Sequence, residues 1–190
     1  MQDLNRFAQR RQRFLERLDA GVVILPAAHE AIRSHDTEYP FRQDSDFYYL
    51  TGFPEPDAKA VFRPGHEKPY VLFVRPRDRE KEIWTGYRIG VEGALERYGA
   101  DEVYPLSEWN TRLPALLENQ RRIYVRLGKE AELDRQLIDT VTELRRKVRQ
   151  GVVAPSEIID PGAILAGLIA GYVAKLRCWR KSYWPRSPSR

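Results

Sequence analysis

The sequence predicts an α/β fold with a central mixed β-sheet flanked by helices, and three observations lead there. Short runs of β-branched and aromatic residues, at Val22–Leu25, Ala60–Phe62, Tyr70–Val74 and Ile123–Val125, read as strands. Between them lie longer stretches whose apolar residues recur at helical spacing, and such alternation is the pattern of an α/β layer fold. Gly and Pro punctuate the joints, as at Pro26, Pro64-Gly65 and Gly99. With 190 residues, 42% hydrophobic and 31% charged, the chain can bury one real core.

Each element follows in order. Asp3 is placed to cap a first helix whose Phe7, Phe14, Leu15 and Leu18 share a face, and Gly21 supplies a stop. Val22-Val23-Ile24-Leu25, ended by Pro26, reads as a buried strand. Phe47–Leu50 and Ala60–Phe62 read as two more, with Phe47, Tyr48, Tyr49 and Phe53 packing as strand aromatics. Pro64-Gly65 turns the chain into Tyr70–Val74, and the charged segment Arg75–Glu82 follows as a solvated loop. Gly90–Tyr98 has a short helical pattern closed by Gly99. Leu106-Ser107 opens another helix, with Ser107 as cap and Leu113, Leu116 and Leu117 facing inward. After Ile123–Val125, Leu133, Leu137, Ile138, Val141 and Leu144 keep helical spacing. Acids come early in that helix, and Arg145, Arg146 and Lys147 late, as the helix dipole favours.

The texture changes at Ala166. Six of the 32 basic residues lie in 166–190, where there is no acid; residues 1–165 hold 26 basic residues against 27 acids, a net of −1. The overall charge of +5 therefore belongs to the tail and not to the domain. We expect a domain over 1–165 and a basic, poorly packing tail over 166–190, with Ala166–Gly171 weakly helical at best. A nucleic-acid role for the tail would rest on Trp179 and Trp184 stacking bases among cations, and binding would weaken steeply with salt. The near-neutral body speaks against it, so no nucleic-acid partner is expected. The single Cys178 excludes an internal disulfide framework and suits a reducing cytoplasm, and no signal peptide or membrane-length apolar run is visible.

Self-contained catalytic machinery is not visible either. His29-Glu30 continues as Ala31-Ile32-Arg33, which is not the two-histidine helical zinc pattern. His29, His35 and His66 are the only histidines, none with a Cys or His partner at ligand spacing. There is no phosphate loop and no Gly-x-Ser-x-Gly elbow. By residue type alone, Asp36, among Ser34, His35 and Thr37, caps a turn, Trp84 anchors a loop, and Arg149 sits on a helix-end dipole.

Two blocks add a resemblance. Arg33-Ser34-x-Asp36-x-Glu38-Tyr39-Pro40-x-Arg42-Gln43 and the adjoining Asp44-Ser45-Asp46-Phe47-Tyr48-Tyr49-Leu50-Thr51-Gly52-Phe53-Pro54 are similar to the amino-terminal domain of bacterial Xaa-Pro aminopeptidases. These are aminopeptidase P enzymes of the creatinase and prolidase superfamily. The resemblance runs from about Arg6 to Leu165, closing at Ala154-Pro155-x-Glu157-Ile158-Ile159-Asp160-Pro161. It implies a creatinase-type amino-terminal fold that shapes a substrate cleft and helps build an oligomer. It also implies cleft roles for three residues. Asp36 would pair with a peptide amine or a cleft arginine, Trp84 would lie on a loop reaching a neighbouring subunit's active site, and Arg149 would be a basic position near the cleft.

The dinuclear metal site of that family, usually manganese, activates a hydroxide that attacks the bond before proline. Its two Asp, one His and two Glu belong to a second domain with no counterpart here, so no metal is expected in this chain. The expected reading is a fragment inactive alone; the alternative is a free-standing module that docks on a full-length relative. A shifted reading frame at the tail is a further expectation, because any Cys codon before the Trp179 codon yields Leu one base earlier.

Overall fold

The computed structural model describes residues 4–34, 37–78 and 87–171. Helix α1 (Leu4–Leu15) leads into β1 (Val22–Pro26), a small hairpin of β2 (Ile32–Ser34) and β3 (Thr37–Glu38), and α2 (Ser45–Thr51). Strands β4 (Lys59–Phe62) and β5 (Tyr70–Val74) follow, then α3 (Gly90–Tyr98) and β6 (Glu102–Pro105). A 3₁₀ turn at Leu106–Glu108 feeds α4 (Trp109–Leu117), then β7 (Arg122–Tyr124), α5 (Ala131–Arg146), a 3₁₀ turn at Val148–Gln150 and β8 (Glu157–Ile159). A last helix, α6, covers residues 162–171.

Six strands form one mixed sheet in the order β6-β5-β4-β1-β7-β8. Strand β4 is antiparallel to both neighbours, while β1, β7 and β8 run parallel, as do β5 and β6. Five strands thus end at one edge, and β4 alone begins there. Alternate side chains of each strand face opposite layers. Val23, Leu25, Phe62, Leu72 and Val74 pack with Phe14, Phe47, Leu50, Tyr98 and Leu165 on one face. Val22, Ile24, Val61, Val71 and Phe73 pack with Trp109, Leu113, Leu133 and Leu137 on the other. Being covered on both sides is why these strands read as unbroken apolar runs.

Several expectations are corrected. Phe47–Leu50 is helical, not a strand. Phe47, Leu50 and Thr51 are buried at helical spacing, the Asp44 side chain accepts from the Phe47 N–H at 2.9 Å, and Gly52 ends the helix at φ 66°. Ser107 makes no cap hydrogen bond, and the α-helix starts only at Trp109. Ile138 faces solvent, because the buried stripe of α5 is Leu133, Leu137, Thr140 and Leu144. Gly21 lies beyond the end of α1; a Cβ there would meet the Arg122 carbonyl oxygen at 2.7 Å, so the close pass of β7 demands the glycine. The segment Ala166–Gly171 continues α6, and Leu168, 7% exposed, joins the core. The boundary expected at 165 therefore falls inside a helix. Asp3 and residues 172–190 lie outside the described residues.

Candidate functional site

The carboxyl edge of the parallel strands is where the connections converge. α3 crosses on one face of the sheet and α4 returns on the other, so the strand order reverses across β4. The crevice at such a reversal is the usual ligand-binding position of open α/β sheets. The loops leaving β1, β5 and β7 all emerge here.

Gln43 holds the first of these loops. Its Oε1 accepts from the N–H groups of Ala28 (2.8 Å) and Asp44 (2.9 Å), and its Nε2 donates to the carbonyls of Phe53 (3.3 Å) and Glu55 (2.8 Å). Both donors and both acceptor sites of the amide are used. Deeper in, the Ala27 N–H donates to Ala58 O at 2.8 Å and the Asp57 N–H to Ala28 O at 3.1 Å. These bonds hold Asp57 at φ 57°, an uncommon conformation for a residue other than glycine.

Around Asp57 stands an ion-pair cluster. Its Oδ1 meets His29 Nδ1 at 2.6 Å and its Oδ2 lies 3.5 Å from Arg75 Nη1, which also approaches Glu30 at 3.6 Å. Lys59, 8% exposed at the start of β4, donates to Glu130 Oε1 at 2.9 Å and lies 5.6 Å from the Trp109 ring centroid. His29 Nε2 approaches the same Glu130 oxygen at 3.6 Å. Together these groups border a pocket of about 420 Å³ between β4 and the amino ends of α4 and α5. Arg75, expected in a solvated loop, is instead four-fifths buried in its side chain.

A second cluster ties α2 to the neighbouring loops. Lys129 donates to Asp44 Oδ2 at 2.6 Å, and Arg126 reaches Asp46 at 3.3 Å and Asp160 at 3.4 Å. Burial pushes the Asp46 carboxyl above its ordinary range, aided by Asp44 and opposed by Arg126 and Lys129. Beyond these charges stands an apolar rim. Ile32 (71% exposed), Tyr39 (55%), Phe41 (36%), Tyr87 (59%) and Leu127 (47%) all belong to connections at this edge.

Asp36 and Trp84 lie outside the described residues. Arg149 is exposed in the 3₁₀ turn after α5. That 16-residue helix starts at the carboxyl edge and runs back about 24 Å. Arg149 thus stands at the amino edge, where Val153 pairs with Asn119. Gln43, Asp57, Lys59 and Glu130 were not singled out from sequence. Among the described residues, no group of three His, Cys, Asp or Glu side chains could hold a metal ion. No helix among them is long and apolar enough to cross a membrane.

Comparison with known proteins gives this geometry a context. The family model described as aminopeptidase P, N-terminal domain, matches residues 7–124. The Xaa-Pro aminopeptidase of Escherichia coli strain K12 is 40% identical over 157 residues, covering 81% of this chain and 36% of that protein. Human Xaa-Pro aminopeptidase 3 is 34% identical over 134 residues, covering 67% of this chain and 26% of that one. Among solved structures, Pseudomonas aeruginosa aminopeptidase PepP superposes with a TM-score of 0.81 at 42% identity, over 85% of this chain and 37% of that one. Zinc-substituted E. coli aminopeptidase P in complex with product gives 0.80 at 37% identity, over 86% of this chain and 38% of that one. The chain spans little more than a third of the length of these bacterial relatives.

Proposed function

Because the chain belongs to the aminopeptidase P N-terminal domain family, we propose that it is the cleft-shaping and oligomer-building domain of a manganese-dependent, cytoplasmic Xaa-Pro aminopeptidase. In this reading its carboxyl edge faces a catalytic domain that supplies both metals. By the same resemblance, Asp36, Trp84 and Arg149 would border the peptide's path. The reading treats the sequence as a fragment, inactive alone. Its basic tail over 166–190 would be the product of a shifted reading frame, which the nucleotide sequence would test.

The observation supporting this reading best is the apolar rim of Ile32, Tyr39, Phe41, Tyr87 and Leu127. Large exposed apolar groups gathered at one edge mark a surface made to be covered. The polar clusters behind it are paired internally and so fix the rim's shape. The same rim would serve the second reading, a free-standing module that docks on a full-length relative.

The test is an assay of the purified chain with manganese and a Xaa-Pro peptide, alone and mixed with the separately produced catalytic portion of the E. coli relative. We expect no turnover alone. With the catalytic portion, we expect an association that Phe41→Glu weakens at least tenfold, about 1.4 kcal/mol. Metal-dependent turnover by the repurified chain alone would overturn the fragment reading. Tight association with intact enzyme but not with the catalytic portion would favour the docking module.

A further inference from the structure

At the amino edge of the sheet, far from the rim, a groove of about 490 Å³ runs between α1 and the turn joining β4 to β5. Its walls are mainly apolar, formed by Ala8, Leu15, Pro64, Pro69 and the ring of Tyr70. Arg11 is the one cation among its lining residues.

Arg11 is 8% exposed, a degree of burial at which a cation normally has a carboxylate partner. Here it has none within 4.0 Å among the described residues. Its Nη1 donates to Leu50 O at 3.1 Å and its Nη2 to Gly99 O at 3.3 Å, and its guanidinium stacks 4.3 Å from the Tyr70 ring centroid. Two of its five N–H groups are thereby used. Asp101, one of two acids in the lining, accepts from the Tyr70 backbone N–H at 2.8 Å. Desolvation lowers the Arg11 pKa, with Tyr70 and Asp101 opposing, as expected for a charge buried short of a counter-ion. A second group points the same way. The Tyr70 hydroxyl is buried with no hydrogen-bond partner, and burial raises its pKa, so it remains a neutral donor.

A buried cation with no carboxylate partner, beside an apolar trough, calls for an anionic acceptor on an apolar body. We propose that this groove binds a small apolar monocarboxylate, its carboxylate paired with Arg11 and its body laid along Ala8, Leu15, Pro64 and Pro69. Glu16 and Asp101 at the lining repel a second negative charge, so one carboxylate is preferred to two.

The probe is 3-phenylpropionate, titrated into the full chain and followed by amide chemical shifts, with 3-phenylpropionamide as its neutral counterpart. For a ligand of this size we expect saturation with a Kd on the order of 1 mM, localised to α1 and the β4–β5 turn. The amide should bind at least about tenfold more weakly, since it lacks the charge-assisted bond. Arg11→Gln should abolish the preference of acid over amide. Ala8→Trp, at an exposed helix position, should fill the groove and remove binding of both while leaving circular dichroism unchanged. Equal binding of acid and amide, binding undiminished by Ala8→Trp, or no saturation up to about 10 mM would each overturn the proposal. If Arg11→Gln does not fold, the acid–amide comparison and Ala8→Trp still decide it.

Discussion

All four hydrogen-bonding positions of the Gln43 side chain are taken by backbone groups of three separate segments. Gln43→Leu removes these bonds and leaves partly buried donors and carbonyls unpaired. It should cost about 2–4 kcal/mol in urea unfolding, with an unchanged m-value. Lys59 and Glu130 give a contrasting case, because each is the other's main partner at 2.9 Å. Lys59→Met alone strands a carboxylate with only the longer His29 contact and should cost about 3 kcal/mol, whereas Lys59→Met with Glu130→Leu should recover at least half of that loss. A double-mutant cycle by thermal unfolding reads both. Neither pair was legible in the sequence. Gln43 sits inside the block that identified the family, but a side chain bonding to backbone 10–15 residues away leaves no periodicity to read. Lys59 and Glu130 meet across 71 residues, and only the fold brings them together.

Helix α2 shows how an element can be misread from correct signals. Its aromatics favour strands, yet Asp44 and Gly52 bracket seven residues with N-terminal and C-terminal caps, and the caps with i, i+3, i+4 burial prevail over aromatic β-propensity. Strands β6 and β8 escaped notice because each has only three or four residues, none fully buried. These elements also differ in their response to acid. In β6, the Lys68 hydrogen bond to Glu102 at 2.9 Å, helped by Arg63, holds the carboxyl below its ordinary range. A depressed pKa adds stability above the unfolded value near 4.5 that is lost as pH falls through the folded one. At the start of α2, Asp46 has the opposite sign. Its raised pKa costs stability once pH rises above the unfolded value of 3.8, fully so beyond the folded value. Glu102→Gln should therefore lower the melting midpoint at pH 7, and Asp46→Asn should raise it. Both differences should shrink as pH falls and vanish once it lies below the folded and unfolded pKa of each carboxyl. Melting curves from pH 2.5 to 7 check both signs.

At the scale of the whole molecule, the layer architecture was legible because strands covered on both faces need continuous apolar runs, and helices covered on one face need a stripe. The strand order was not, since nothing local in Lys59–Phe62 reveals that β4 runs against its neighbours. The end of the domain was obscured for a related reason. The change of texture at Ala166 is one of charge and composition, but burial follows helical geometry, and α6 runs on through it. Leu165 is fully buried, Leu168 follows three residues later on the same face, and the Tyr49 hydroxyl reaches the Leu168 carbonyl at 3.5 Å. A chain ending at residue 165 would lose the Leu168 contact and leave Leu165 on a fraying terminus. Burying one leucine contributes about 1.5–3 kcal/mol, and at this size each kcal/mol moves the midpoint by about 2–4 °C. The 1–165 chain should thus melt about 3–12 °C below the full chain. A chain ending at residue 171 keeps every described core residue and should melt within about 2 °C of it. Equal midpoints for 1–165, 1–171 and the full chain would show that α6 contributes nothing beyond Leu165. A 1–171 chain as unstable as 1–165 would instead place structural weight in residues 172–190.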